Sequence, residues 1–187
     1  MRKDFGVKTW LYPMPVLIIA TYDENGTPNA MNAAWGGIYN DNQISVYIDI
    51  AHKTAANIQL KKCFTVNIAD AKHIEACDYV GIVSGNTVPD KFAKAGFHAV
   101  PSEIIDAPVI EELPMCLECR LVSFDTATGC TVAEIVNINA DTEVLGEDGE
   151  IDPEKLSPIT YDPVHHKYIK LGAVAGNAFK DGLVLKR

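Results

Sequence analysis

Apolar residues fall along this chain mostly in period-two or unbroken runs. Residues 16–22, 44–50, 64–69, 115–124 and 131–144 read as β-strands, because alternation or a short continuous apolar stretch is what a pleated, half-buried ribbon needs. In the last run Thr131, Ala133, Ile135, Asn137 and Asn139 share one side, while Val132, Glu134, Val136 and Ile138 share the other. Neither side is cleanly polar, which suits a strand inside a closed or layered sheet. Asn25-Gly26, Asn40-Asp41-Asn42 and Asp148-Gly149 are turn signals, so neighbouring strands pair antiparallel through hairpins.

Helical pattern is sparse. Residues 54–62 read as a short helix whose basic end, Lys61-Lys62, complements the negative C-terminal pole. Asp70 caps a second helix over 71–83, closed by Ser84-Gly85, and Pro89 opens a third that stops at Gly96. These helices do not alternate with strands in a βαβ rhythm, so a doubly wound sheet is disfavoured and a mainly β fold is expected.

At 187 residues the chain is most economically one domain, 1–187. Such a length buries about two-thirds of the unfolded chain's surface. Net charge is −9, but residues 141–155 hold seven acids and one lysine, leaving the rest at only −3. That balance argues against nucleic acid or an anionic membrane as partner and leaves room for a locally positive pocket. The acidic stretch fails the spacing of a calcium loop and reads as a solvated hairpin. No apolar run reaches the ~20 residues needed to span a bilayer.

Five cysteines at irregular spacing fit a reducing cytosol and a cytoplasmic protein. Cys116 and Cys119 lie three apart on a strand, hence on opposite faces roughly 10 Å apart, and are expected to be packed thiols. His165-His166 lacks further ligands at suitable spacing and reads as a surface turn, while His73 and His98 read as solvent-facing or hydrogen-bonded structural residues. No metal site is expected.

Two stretches carry candidate chemistry. Between Asn29 and Gly37, small and amide residues crowd around Trp35, a composition that lets backbone approach a flat ligand. His52-Lys53-Thr54 opens the first helix, where free amides, a lysine and a hydroxyl make an anion site. Read as connections leaving neighbouring strands, the two suggest one shared site.

The order Asn-x-Met-Asn-x-x-Trp-Gly-Gly from Asn29, then Lys53-Thr54-x-x-Asn57-Ile58, Phe64-x-Val66-Asn67-Ile68, and Ser84-Gly85 followed by Asp90-Lys91-Phe92, resembles the flavin reductase family, nearest its flavoredoxin branch. Ala107-Pro108-x-Ile110, Ala133-Glu134-Ile135-Val136 and Tyr168 with Leu171-Gly172 extend the likeness over nearly the whole chain. The resemblance implies an FMN-binding split β-barrel, antiparallel and of Greek-key type, with a few short flanking helices. It also implies non-covalent FMN and a homodimer.

Carried over by position, Asn29, Met31, Asn32, Ala33, Ala34 and Trp35 border the flavin ring and ribityl chain. His52, Lys53, Thr54 and Asn57 surround the phosphate. Ser84, Gly85, Asp90, Lys91 and Phe92 approach the flavin, with Lys91 the charged contact at its edge, and Tyr168 covers the ring. NADH or NADPH is the implied donor, with free flavin or a downstream acceptor receiving the electrons. One departure bears on this. Where relatives carry a histidine shortly before the Gly-Glu strand, Ala127-Thr128-Gly129-Cys130 has none, and Ala133 replaces the glycine. An electron carrier reduced by a redox partner protein, and a non-redox small-molecule barrel, stand as alternatives.

Overall fold

The computed structural model describes residues 1–186. After the two-residue β1 (Met14–Pro15), the first apolar run forms β2 (Leu17–Tyr22) and turns at Asn25-Gly26 into β3 (Pro28–Ala33). The Asp23 carboxylate closes that turn by accepting from the Asn25 and Thr27 amides, and Gly26 takes φ +78, a left-handed value that side chains resist. β4 (Gly36–Asn40) and β5 (Gln43–Tyr47) form the next hairpin, followed by α1 (Lys53–Lys61) and β6 (Cys63–Ile68). Then come α2 (Ile74–Ile82), the one-turn α3 (Lys91–Lys94) and a small hairpin of β7 (Ala99–Pro101) and β8 (Pro108–Ile110). The long β9 (Met115–Phe124) and β10 (Cys130–Ala140) lead to a 3-10 turn (Thr142–Val144), α4 (Pro153–Leu156), β11 (Ile159–Asp162), β12 (Lys167–Lys170) and a last 3-10 turn (Asp181–Leu185).

Seven strands form one antiparallel sheet in the order β3-β2-β6-β9-β10-β5-β4. Its ends approach each other across the interior: a Cβ placed on Gly36 of β4 would lie 3.1 Å from Leu17 Cδ1 of β2, although four other strands separate β2 from β4 in the sheet order. The sheet therefore curls into a half-barrel. Leu17 and Ile19 point inward with Val46, Phe64, Val66, Leu117 and Cys119. Val16, Ile18 and Ala20 point outward, under α2, α3 and β8, with Val80, Phe92 and Ile110. Both faces of β2 are covered, which is why its sequence is continuously apolar. Each fully buried Ile, Val or Phe here contributes about 1.5–3 kcal/mol. A separate three-stranded sheet, β1-β11-β12, joins residues 14–15 to residues 159–170.

Several expectations need correcting. Asn29 to Ala33 is not a connection but strand β3, whose small and amide residues pair register for register with β2. The strands at 16–22 and 44–50 are not sheet neighbours, and the second ends at Tyr47, after which the buried Ile48 donates its amide to the Gly129 carbonyl. β10 stops at Ala140, and register shifts after Val132 and after Ile135 break its simple alternation, so Thr131, Val132 and Ala133 are buried consecutively. Asp70 caps a turn through the Lys72 and His73 amides, and α2 begins only at Ile74. The acidic stretch is no simple hairpin: a 3-10 turn, a single Leu145–Ile151 bridge and α4 share it.

Other expectations hold. All five cysteines are free, four of them buried. His165 and His166 lie in the β11–β12 turn, and His73 pairs with Asp70 at 2.9 Å. His98 bonds to Glu112 and, with Glu111, offers ligand atoms within 4.8 Å of one another on the surface. No helix among the described residues is long and apolar enough to cross a membrane.

Candidate functional site

Three segments converge at β3, an edge strand of the half-barrel. β3 brings Asn29 and Met31, the start of α1 brings His52, Lys53 and Thr54, and the end of α2 with Ser84-Gly85 closes the third side, enclosing a cavity of about 170 Å³. His52 is the extended N-cap of α1, so the helix presents its first-turn amides here. The Asn29 side-chain amide donates to the Thr54 hydroxyl at 2.8 Å. Because that oxygen accepts, its own proton remains free to point at a ligand. Lys53 donates to Asp23 at 3.1 Å. Burial works against the Asp23 carboxylate, yet the Thr27 amide, Lys53 and the Asn25 amide together hold it below its usual range.

Glycines let the walls meet. A Cβ on Gly85 would fall 2.3 Å from Asn29 Oδ1, and one on Gly81 would fall 2.9 Å from the Asn32 Cβ. Neither position admits a side chain without a shift of the Asn29 or Asn32 side chain, of β3, or of the segment that carries the glycine. The Asn86 side chain donates to the Ala51 carbonyl at 2.9 Å, tying this loop to the approach of α1.

Beside this polar cavity, and sharing Met31 and His52 with it, lies an open cleft of about 570 Å³. Asn32, Ala33, Ala34 and Trp35 form one bank, with Ile48–Ile50 and Thr126–Gly129 opposite. Trp35 is 56% exposed, leaving an aromatic plane uncovered. Asn32 and Ala34 also face a neighbouring hollow with Asp78, Tyr161, His166 and Tyr168. There Tyr168 donates to Asp78 at 2.7 Å and accepts from Asn32 at 3.3 Å. Burial and then the Asp78 carboxylate push the Tyr168 phenol well above its usual range, so it stays a donor.

The expected site residues divide accordingly. Asn29, Met31, His52, Lys53, Thr54, Ser84, Gly85 and Lys91 meet at the polar cavity, Asn32 to Trp35 line the cleft, and Tyr168 lines the hollow beside it. Asn57, Asp90 and Phe92 line none of these. Asn57 is buried and donates to Thr21 at 3.0 Å, Phe92 belongs to the outer core, and Asp90 pairs with Lys94 at the surface. Lys91 is buried, with its Nζ on the Val80 and Val83 carbonyls. Sequence reasoning missed the end of α2 and Asp78, and it marked 127–130 only for the histidine it lacks, not as a wall of the cleft. Gly81 was the available signal, since a glycine inside an apolar helix marks close approach.

The geometry agrees with comparisons to known proteins. The family model for the flavin reductase like domain matches residues 9–167. The flavoredoxin of Desulfovibrio vulgaris (Miyazaki F) superposes with a TM-score of 0.93 at 35% identity, covering 97% of this chain and all of that one. A flavoredoxin from Methanosarcina acetivorans gives 0.88 at 27%, covering 98% of this chain and 100% of the other. An FMN-binding domain of a flavin reductases-like enzyme from Shewanella baltica OS155 shares the fold, with a TM-score of 0.76 at 19% identity over 87% of this chain and 88% of its own. An uncharacterised protein of Aeropyrum pernix, 28% identical over 114 residues, is matched over 60% of this chain and over only 43% of its own length. The half-barrel is thus the split β-barrel of these structures. The chain belongs to the flavin reductase-like family, in its flavoredoxin branch.

Proposed function

We propose that this protein holds FMN without a covalent bond and passes electrons from NADH or NADPH to free flavin or a downstream acceptor. The observation that carries the reading is that Met31 and His52 line both a small cavity holding Lys53 and Thr54 and a larger cleft banked by small residues and an exposed tryptophan. A molecule with an anionic tail and a flat aromatic head matches that pairing. The donor set fits the tail: Lys53, the Thr54 hydroxyl and the first amides of α1 all favour a dianion. The cradle fits as well, since Gly85 and Gly81 bring β3 and α2 together without filling the space. The FMN-binding description of the Shewanella baltica relative supports the choice of flavin.

FMN, when bound, supplies the redox chemistry; the chain supplies binding, orientation and electrostatics. Lys53 and Thr54 hold the tail, and Asn32 and Trp35 orient the head. Tyr168, locked to Asp78, fixes Asn32 and with it the bank of the cleft. A homodimer, carried over from the family, is part of the proposal, and Trp35, Ile38 and Tyr39 around the edge strand β4 offer exposed apolar surface for it.

A second reading has one observation in its favour. Thr126–Gly129, which lines the cleft, carries no histidine, and this departure from the family pattern supports a carrier reduced by a partner protein. The test is anaerobic titration of the purified yellow protein. Bleaching by NADH or NADPH within the time of turnover supports the enzyme. Bleaching by dithionite alone supports the carrier, and a colourless protein that takes up no FMN defeats both.

A further inference from the structure

Among the described residues, one group of three metal-ligating side chains lies outside the cavity and the cleft: His98, Glu111 and Glu112, whose ligand atoms all fall within 4.8 Å of one another. Sequence spacing hides it, because 98 and 111–112 meet only where β7 pairs with β8, Ala99 opposite Ile110. The pairing continues one step outward. The Glu111 amide donates to the His98 carbonyl at 3.0 Å, and the His98 amide donates to Glu112 Oε2 at 2.9 Å. His98 Nδ1 meets the other oxygen of that carboxylate. The frame beneath is fixed. Phe97, Ile110 and Leu113, which bracket the three residues, are buried in the outer core, and the Ile110 amide donates to the Asn67 side chain at 3.1 Å. Glu112 also lines a hollow of about 200 Å³ with Asp70, Asp141 and Glu143, against Lys72 and Lys155. Lys155 donates to the Leu145 carbonyl, so acids dominate the local field and attract a cation.

We propose that His98, Glu111 and Glu112 form a surface site for one divalent ion of the first transition row, with Zn²⁺ the reference case, which pins the Ile110–Leu113 turn to the start of β7. The inference is independent of the flavin reading. One imidazole nitrogen with two carboxylate oxygens suits such an ion, whereas magnesium and calcium favour oxygen alone. Zinc bonds of about 2.0–2.2 Å set tetrahedral ligand atoms roughly 3.3 Å apart, so the present spread closes by a side-chain swing. Glu111 is exposed and supplies that movement. Glu112 moves little: its Oε2 stays on the His98 amide and keeps the carboxylate oriented, while its Oε1 and His98 Nδ1 take the ion in place of the proton between them. That proton leaves to the buffer. Water completes the coordination, since the three residues lie at the surface.

Calorimetric titration of the full chain, stripped of metal by a chelator, with zinc chloride at neutral pH tests the site. One equivalent binds, and His98→Ala and Glu111→Gln each weaken it by about tenfold or more, because even the outer partners of a metal ligand are worth that much. Cobalt(II) added to isotope-labelled protein perturbs the amide resonances of 97–99 and 110–113 before any others. Zinc also raises the melting temperature of the parent and leaves that of Glu111→Gln unmoved. Cys130, a partly exposed thiol, and His165 in the β11–β12 turn are the competing ligands, and Cys130→Ser and His165→Ala leave the zinc isotherm unchanged. Absence of binding in the parent at millimolar zinc, undiminished affinity in both His98→Ala and Glu111→Gln, or loss of binding on replacing Cys130 or His165 instead overturns the proposal.

Discussion

Asn29 and Thr54 face each other across 2.8 Å, amide to hydroxyl, and so fasten the third strand to the first turn of the first helix. Both are buried, at 3% and 2% exposure, and that isolation makes the bond matter. Asn29→Ala leaves Thr54 without its donor and frees the hydroxyl to rotate. Stability falls by about 1–2 kcal/mol, the range for a lost buried hydrogen bond, and FMN binds roughly tenfold more weakly. Urea denaturation and quenching of flavin fluorescence read the two effects separately.

Gly85→Ala probes the other side of the same asparagine. The new methyl would sit 2.3 Å from Asn29 Oδ1, inside any real contact distance, so the Ser84-Gly85 loop or β3 must shift. Because the loop is the softer of the two, the barrel survives and the cavity is distorted. Far-UV circular dichroism stays unchanged while FMN retention through gel filtration is lost.

Thiol labelling tests the burial pattern. Burial pushes Cys77 and Cys119 up to about 12, and raises Cys116 and Cys63 as well, so none of these four offers a thiolate at neutral pH. Only Cys130 is partly exposed. A chromogenic disulfide reagent at pH 7.5 should therefore report about one fast equivalent in the native state, with the other four following on denaturation.

Acid sensitivity should trace in part to Asp23. Its carboxyl is held below the ordinary value, so its contribution to stability is complete above the unfolded pKa, about 4, and is lost as pH falls through the lower folded value. Asp23→Asn is less stable than the parent at pH 6 and shows a flatter melting temperature between about pH 4 and 2. A variant that melts in parallel with the parent across that range removes Asp23 from the account.

Local signals were legible in the sequence. Asn25-Gly26 announced its hairpin because few dipeptides accept the required left-handed turn, and Lys53-Thr54 announced a helix start. What escaped was set by distant partners. β3 was hidden because Asn29 and Asn32, both polar, point to partners on helices rather than to solvent, so the usual alternation gave no cue. The burial of Lys91 escaped because the carbonyls it caps close another helix. Asn57 shared the phosphate motif with Lys53 and Thr54, yet the helical turn carries it inward to Thr21. The bulges of β10 shift register without leaving a glycine to mark them.

The Asn32–Tyr168 contact joins residues 136 positions apart, and β1 finds its partner β11 across a comparable gap. A ribosome-bound fragment ending near residue 150 already contains Trp35, Lys53 and Lys91, but lacks Tyr168 and the ribbon that steadies it. On the proposed flavin reading, pigment loading is a late event, completed after synthesis has passed β12, and chains that stop short of it are expected to emerge colourless.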